Sequence, residues 1–266
     1  MLSKLIGYEM KAFGRILLPI YAAIVAASVL LGIDFRFFPN SSRSGATIAL
    51  TVILGILVAA VFAVTVLLLI IRYYNNLLGR EGYLMFSLPV GTGNLIWAKV
   101  ISSVIWSILS VIASAVVVTP FLMTSDFTDA VKDGSLGKIW TSFLGEIAPY
   151  RVNIILGILL IIAGTVLAIT RIYAAISIGH LWTVHRVLGA VLAFIGLGIL
   201  ESVLFMTTGI GLFSAEGAFG GVTDSAMQTA ADAARYEGIC LAVMAAGIAI
   251  YGAVTWLILD RKLNLE

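Results

Sequence analysis

Apolar positions along this chain gather into six long runs, at residues 16–33, 46–71, 100–124, 152–177, 187–213 and 239–259, with charged and polar residues collected between them. Each run holds at least 18 residues. At about 1.5 Å of rise per residue, that length crosses a hydrocarbon core of roughly 30 Å. Backbone inside lipid must satisfy its own hydrogen bonds, so the runs predict α-helices. The pattern therefore predicts an all-α polytopic membrane protein with six transmembrane helices. No segment is long and polar enough to form a separate soluble domain, so residues 1–266 read as a single transmembrane domain.

Two further segments are apolar without being spans. In residues 1–15, Leu2, Leu5, Ile6, Met10 and Phe13 recur at helical spacing while Lys4, Lys11 and Arg15 face elsewhere. That predicts an N-terminal amphipathic helix lying in the interface, its basic residues near anionic headgroups. Such a helix serves either to set the entry angle of the first span or to grip a partner. Residues 16–33 follow this basic stretch as the core of a signal peptide would. They are longer than a usual signal core and five more runs follow, so they read as a retained first helix.

The second segment is 72–94, RYYNNLLGREGYLMFSLPVGTGN, between the second and third runs. Leu77, Leu78, Tyr83, Leu84, Met85, Phe86 and Leu88 are a heavy apolar load for a loop, and a loop exposing that much apolar surface docks on a membrane, on its own bundle or on another protein. Gly79 and Gly82 allow tight turns, Pro89, Gly91 and Gly93 end the segment, and a short helix is expected around residues 80–87.

Composition supports the membrane reading. Hydrophobic residues make up 61% and charged residues 11%, where a soluble domain carries about a quarter charged, and the mean hydropathy is +1.10. A net charge of +2 is too small to suggest nucleic-acid binding. Charge placement sets an orientation. The N-terminus, residues 72–99, residues 171–186 and the C-terminus together hold ten of the sixteen basic residues, Lys4, Lys11, Arg15, Arg72, Arg80, Lys99, Arg171, Arg186, Arg261 and Lys262. Basic residues collect on the cytoplasmic side, so both termini are expected there. On the opposite side, residues 125–151 are expected to be largely solvated by Asp126, Asp129, Lys132, Asp133, Lys138 and Glu146. Residues 214–238 read either as an ordinary solvated loop or as a short helix over 226–236, capped by Asp224 or Ser225, with Gly217, Gly220 and Gly221 as a bend.

Polar residues inside the runs carry the candidate chemistry. Glu201 sits near the centre of the fifth run, where an acidic residue costs roughly 2.5–3.5 kcal/mol to insert. It is expected to face protein or water and to be paired or neutral. It lies either on a translocation pathway or subunit interface, where it would meet a cationic part of a substrate, or in a hydrogen bond to Ser, Thr or Tyr of a neighbouring helix. Ser103, Ser107, Ser110 and Ser114 share one face of the third run and read as packing contacts, as do the small-residue stripes Ala242 and Ala246, and Ala245, Ala249 and Ala253, of the sixth. Cys240 is the single cysteine and excludes an intramolecular disulfide. His180 and His185 lie five apart without an accompanying Cys or acid, so no metal site is expected.

The opening LSKLIGYEMKAFGRILLPIY, the six runs and the GREGYLMFSLPV stretch after the second run resemble the permease subunits of bacterial ABC transporters of the type-2 exporter class. The resemblance implies that residues 72–94 carry the coupling helix, with Arg80, Glu81, Tyr83, Leu84, Met85 and Phe86 as contacts to a cytoplasmic ABC ATPase. It implies a weaker ATPase contact near residues 178–186, and outer-leaflet helices between the fifth and sixth spans. It also implies a second permease, identical or not, and a place in the bacterial cell membrane. An amphipathic peptide, an antimicrobial peptide or another lipophilic molecule would be the substrate.

The chain has no Walker A motif. Gly137-Lys138 is followed by Ile139, so ATP and Mg would belong to the partner and this chain would not be an enzyme. It has no HExxH, no G-x-S-x-G and no paired carboxylates in a span, which argues against an intramembrane hydrolase. The other reading, from a different class, is an ATP-independent accessory or receptor-like membrane bundle.

Overall fold

The structure, a computed structural model, describes residues 2–37, 45–79, 82, 91–122, 129, 131–182, 185–219 and 226–261. Among the described residues the regular structure is entirely helical. The long helices are α1 (Leu2–Phe37), α2 (Gly45–Tyr73), α3 (Thr92–Ala115), α4 (Ser135–Ile147), α5 (Arg151–His180), α6 (Arg186–Phe219) and α7 (Ala226–Arg261). Helix α2 widens into a π turn at Tyr74–Leu78, and α3 tightens into a 3-10 turn at Val116–Val118 before one last helical turn to Leu122.

Six helical stretches among the described residues are long and apolar enough to cross a membrane, and each expected run falls on one of them. Their outer faces suit lipid. Helix α6 presents Val187, Leu188, Val191, Leu192, Ile199 and Met206 outward, with Val187 77% and Met206 67% exposed.

Several expectations are revised by packing. Residues 1–15 and 16–33 were expected as two elements, but the described residues from Leu2 onward form the single helix α1. The cause is a buried stripe, Phe13, Leu17, Ile24 and Leu31, that runs on one face across the expected junction, while Pro19 inside the helix stays on the exposed side. The third span begins at Thr92 rather than at residue 100, because Leu95, Ile96 and Ala98 are already buried. Residues 226–236 are not a separate helix but the first turns of α7, and α6 continues through Gly217 to Phe219. The expected caps Asp224 and Ser225, and Gly220 and Gly221, lie outside the described residues. The segment 125–151, expected as a solvated loop, contains the thirteen-residue helix α4.

The chain divides into two compact units. One comprises Ser3–Leu69 and Ile105–Glu146. Its core joins Ile24, Ala27 and Leu31 of α1 to Leu54 and Val61 of α2. Phe13 stacks on Trp106 with ring centroids 6.3 Å apart, and Gly14 admits the indole, since a Cβ there would stand 3.3 Å from it. Hydroxyls tie the helices together. Ser110 Oγ lies 2.8 Å from Tyr21 Oη and 2.9 Å from Thr65 Oγ1, and Ser28 Oγ donates to the Val116 carbonyl at 2.8 Å. Lipid is as apolar as a leucine side chain, so close packing and hydrogen bonds, rather than hydrophobicity, hold membrane helices to each other.

The other unit comprises Met1–Leu2, Ile70–Val104 and Ile147–Glu266. In it α5 packs against both α6 and α7. Gly179 lets α5 approach α6 closely, where a Cβ would strike the backbone of Ala190. Against α7, Leu167 fits over Gly247, where a Cβ would stand 2.8 Å from its Cδ1. Asn153 donates to the Ala230 carbonyl at 3.0 Å. Tyr73 stacks on Tyr173 at 4.1 Å between centroids, with their hydroxyls 2.6 Å from Ser177 Oγ and 2.8 Å from Ser103 Oγ respectively.

Candidate functional site

Glu201 projects from α6 toward α5, and its partner there is Arg171. Arg171 Nη1 donates to Glu201 Oε2 at 3.0 Å, and the two side chains are only 23% and 21% exposed. The face of α6 that receives the guanidinium is written at i, i+4 and i+7. Phe194 lies beneath it, with the guanidinium carbon 4.5 Å from the ring centroid, a cation–π contact. Gly198 leaves the space over which it passes, a Cβ there standing 3.5 Å from Nη1. Glu201 closes the end. On the α7 side, Tyr251, 6% exposed, is close enough to interact electrostatically with both charges. Leu167, Ala174 and Tyr251 form a buried cluster beside the pair, with Leu197 and Phe205 packed against it.

The pair is a neutral unit inside helices of membrane-crossing length. Each charge offsets the desolvation cost of the other, and neither is stable there alone. The bond to Glu201 uses one of five N–H donors, and Arg171 Nε is buried with no hydrogen-bond partner among the described residues. Chemically this is a cation held between an aromatic face and a carboxylate.

The sequence reading singled out Glu201 and missed its partner, placing Arg171 with the loop charges. The structure puts it within α5. Lys99, also placed with the loop charges, lies within α3. Of the ten basic residues that weighted one side, Lys4, Lys11, Arg15, Arg72, Lys99, Arg171, Arg186 and Arg261 lie within helices. The missed signal was present: Arg171 falls inside the run 152–177 and is opposite in sign to Glu201.

The serines of α3 behave as packing groups. Ser103 and Ser110 are buried and bond to tyrosine hydroxyls, and Ser102 Oγ bonds within its own helix to the Ala98 carbonyl at 2.9 Å. Among the described residues the alanine stripes of α7, Ala242, Ala245, Ala246, Ala249 and Ala253, are exposed. Helix α7 meets α5 through Met244, Gly247, Ile248 and Tyr251 instead. Ala249, Gly252 and Ala253 line an apolar groove of about 260 Å³ walled also by Trp97, Thr170 and Trp256. The Thr170 hydroxyl is already donated to the Val166 carbonyl, at 2.9 Å.

His180 ends α5, edge-on to Tyr74 at 6.4 Å, and His185 immediately precedes α6. The expected coupling residues Arg80, Glu81, Tyr83, Leu84, Met85 and Phe86 lie outside the described residues. No family model, curated protein or solved structure matches the chain.

Proposed function

We propose that this chain is the permease subunit of an ATP-driven ABC exporter in a bacterial cell membrane, with both termini cytoplasmic. It carries an amphipathic peptide or another lipophilic molecule across the bilayer. The observation that supports a transport role best is the Arg171–Glu201 pair within membrane-length helices. Ionisable groups at such depth are expensive and tend to mark pathways or moving interfaces. Coupling to a cytoplasmic ATPase through residues 72–94 rests on the resemblance of LSKLIGYEMKAFGRILLPIY and GREGYLMFSLPV to the exporter permeases. The partner would hold ATP and Mg. Its closure would act on the 72–94 segment and bias the bundle between two states by differential affinity. Basic residues Lys4, Lys11 and Arg15 at the start of α1 would sit near the same face. A second permease, the same chain or a relative, fits the exposed alanine stripes of α7, because small residues let helices approach closely.

An ATP-independent bundle is favoured by one observation: Glu201 already has an internal cation and needs none from a substrate. The two readings separate on purification of the tagged chain in mild detergent, followed by mass spectrometry. The permease reading predicts a stoichiometric ABC ATPase, lost when Tyr83, Leu84 and Phe86 are replaced together by Asp while membrane insertion is kept. A chain that purifies alone under several mild conditions overturns it in favour of the bundle.

A further inference from the structure

Helix α4 is amphipathic, and its apolar face is exposed among the described residues. Ile139, Trp140, Phe143 and Leu144 are 62%, 59%, 49% and 49% exposed. They fall on one side of the helix by their i, i+1, i+4 and i+5 spacing. The Trp140 and Phe143 rings lean together along it, 5.8 Å between centroids. Lys138, Thr141 and Ser142 occupy the opposite side, and Glu146 falls at the boundary, seven residues on from Ile139. In water, four large apolar side chains in a row would be a liability for a thirteen-residue helix.

The chain itself indicates the occupant. Only the 3-10 turn Ala148–Tyr150 separates α4 from Arg151, the first residue of α5. From Val152 onward α5 turns Val152, Ile154, Ile155 and Ile158 outward as a lipid-facing surface. The apolar stretch Gly137–His180 is 44 residues long, or about 66 Å if helical throughout, twice the hydrocarbon thickness. Helix α5 alone, 30 residues, spans about 45 Å and fills that thickness. Helix α4 therefore has no room within the core. It is held at the level where the α5 span meets the headgroups, with Tyr150 and Arg151 as the residue types that anchor such a boundary. Lys138 and Glu146 balance in charge, so apolar burial rather than attraction to anionic lipid would hold the helix down.

We infer that α4 is an interfacial helix lying in the lipid headgroup layer, with Ile139, Trp140, Phe143 and Leu144 in the acyl boundary and Lys138, Thr141 and Ser142 toward water. This rests on the membrane-crossing reading of the six helices and not on the transport reading, and its failure would leave the ATPase question untouched.

The test uses the full chain in phosphatidylcholine vesicles. In a Cys240→Ser background, single cysteines at 139, 140, 143 and 144, and at 138, 141 and 142, carry a nitroxide label. The first set is expected to collide with oxygen and be shielded from a water-soluble nickel chelate; the second set is expected to show the reverse. Chelate access to both sets would mean a solvated helix, and poor access of either probe to both would mean a face covered by protein; each overturns the inference. A second readout needs no label. Brominated phosphatidylcholine should quench the wild-type fluorescence more deeply than that of Trp140→Phe, and equal quenching overturns the inference as well.

Discussion

In the unit that holds α1, Ser110 meets Tyr21 and Thr65, Ser28 meets the Val116 carbonyl, and Thr47 of α2 donates to the Asp34 carboxylate of α1 at 2.6 Å, each of these ties having a hydroxyl on at least one side. In the unit that holds α5, α6 and α7 there are hydroxyl ties too, but an arginine and a glutamate are added to them. A hydroxyl can fall back on a carbonyl of its own helix when a partner is lost, so each such tie is a small, separable contribution. An ion pair has no such reserve. Removing one member leaves a full charge in an apolar setting, and removing both leaves none. Deleting the ties at Ser110 and Ser28 should therefore lower stability gradually, and the Arg171–Glu201 pair should respond in a strongly coupled way.

The largest effect is expected at the pair itself. Arg171→Met or Glu201→Leu alone should destabilise the protein by about 3 kcal/mol, near the low end for a broken buried pair because both side chains keep some exposure. The double variant should recover most of that loss. Thermal unfolding of the four proteins in one detergent closes a double-mutant cycle. Additive losses would mean that the two charges are independently solvated, and the contrast between the units would fail. If the double variant is stable yet transports nothing, the pair serves the cycle as well as the fold.

A smaller effect, of about 2 kcal/mol, is expected from Gly179→Val, where the new side chain meets the Ala190 backbone and α5 must move away from α6. The matching position in the other unit is Gly14. There a Cβ meets the edge of the Trp106 indole at 3.3 Å, and a ring can tilt where a backbone cannot. Gly14→Ala should cost under about 1 kcal/mol. Comparable losses at the two sites, read by denaturation under the same conditions, would show that α5 and α6 separate more easily than their contact implies.

The six spans were legible because membrane crossing imposes length and apolarity on contiguous sequence, and both survive without knowledge of neighbours. Glu201 was legible for the same reason, as an exception to a run. Its partner was not, since pairing depends on which helix α5 meets and at what height, and Arg171 stands near enough to the end of its run to pass for a loop residue. The continuity of α1 was hidden because the charge pattern changes near Arg15 while the buried stripe Phe13, Leu17, Ile24 and Leu31 does not. Alanine spacing in α7 suggested its packing face, yet α5 meets Gly247 and the longer side chains around it. Helix α4 was masked by the charges around it, Asp129, Lys132 and Asp133 before and Glu146 within, which made a strongly amphipathic segment read as a wet loop.

The smallest expected effect sharpens the comparison most. Ser110 sits at the junction of three helices, and its hydroxyl also donates to the Trp106 carbonyl at 2.9 Å. Thr65 already has the Val61 carbonyl at 2.7 Å, and Tyr21 has the Trp106 carbonyl at 3.5 Å as a substitute. Ser110→Ala therefore leaves both former partners a place for their hydrogens. The loss should be about 0.6 kcal/mol, the usual size of an interhelical hydrogen bond in a membrane protein. Tyr21→Phe added to that variant should cost little more, because only the long 3.5 Å bond to the Trp106 carbonyl is left to break. A loss at Ser110 as large as that at Arg171, measured by unfolding of the same purified protein, would mean that the hydroxyl cluster is as cooperative as the ion pair, and that charge is not what distinguishes the two sites.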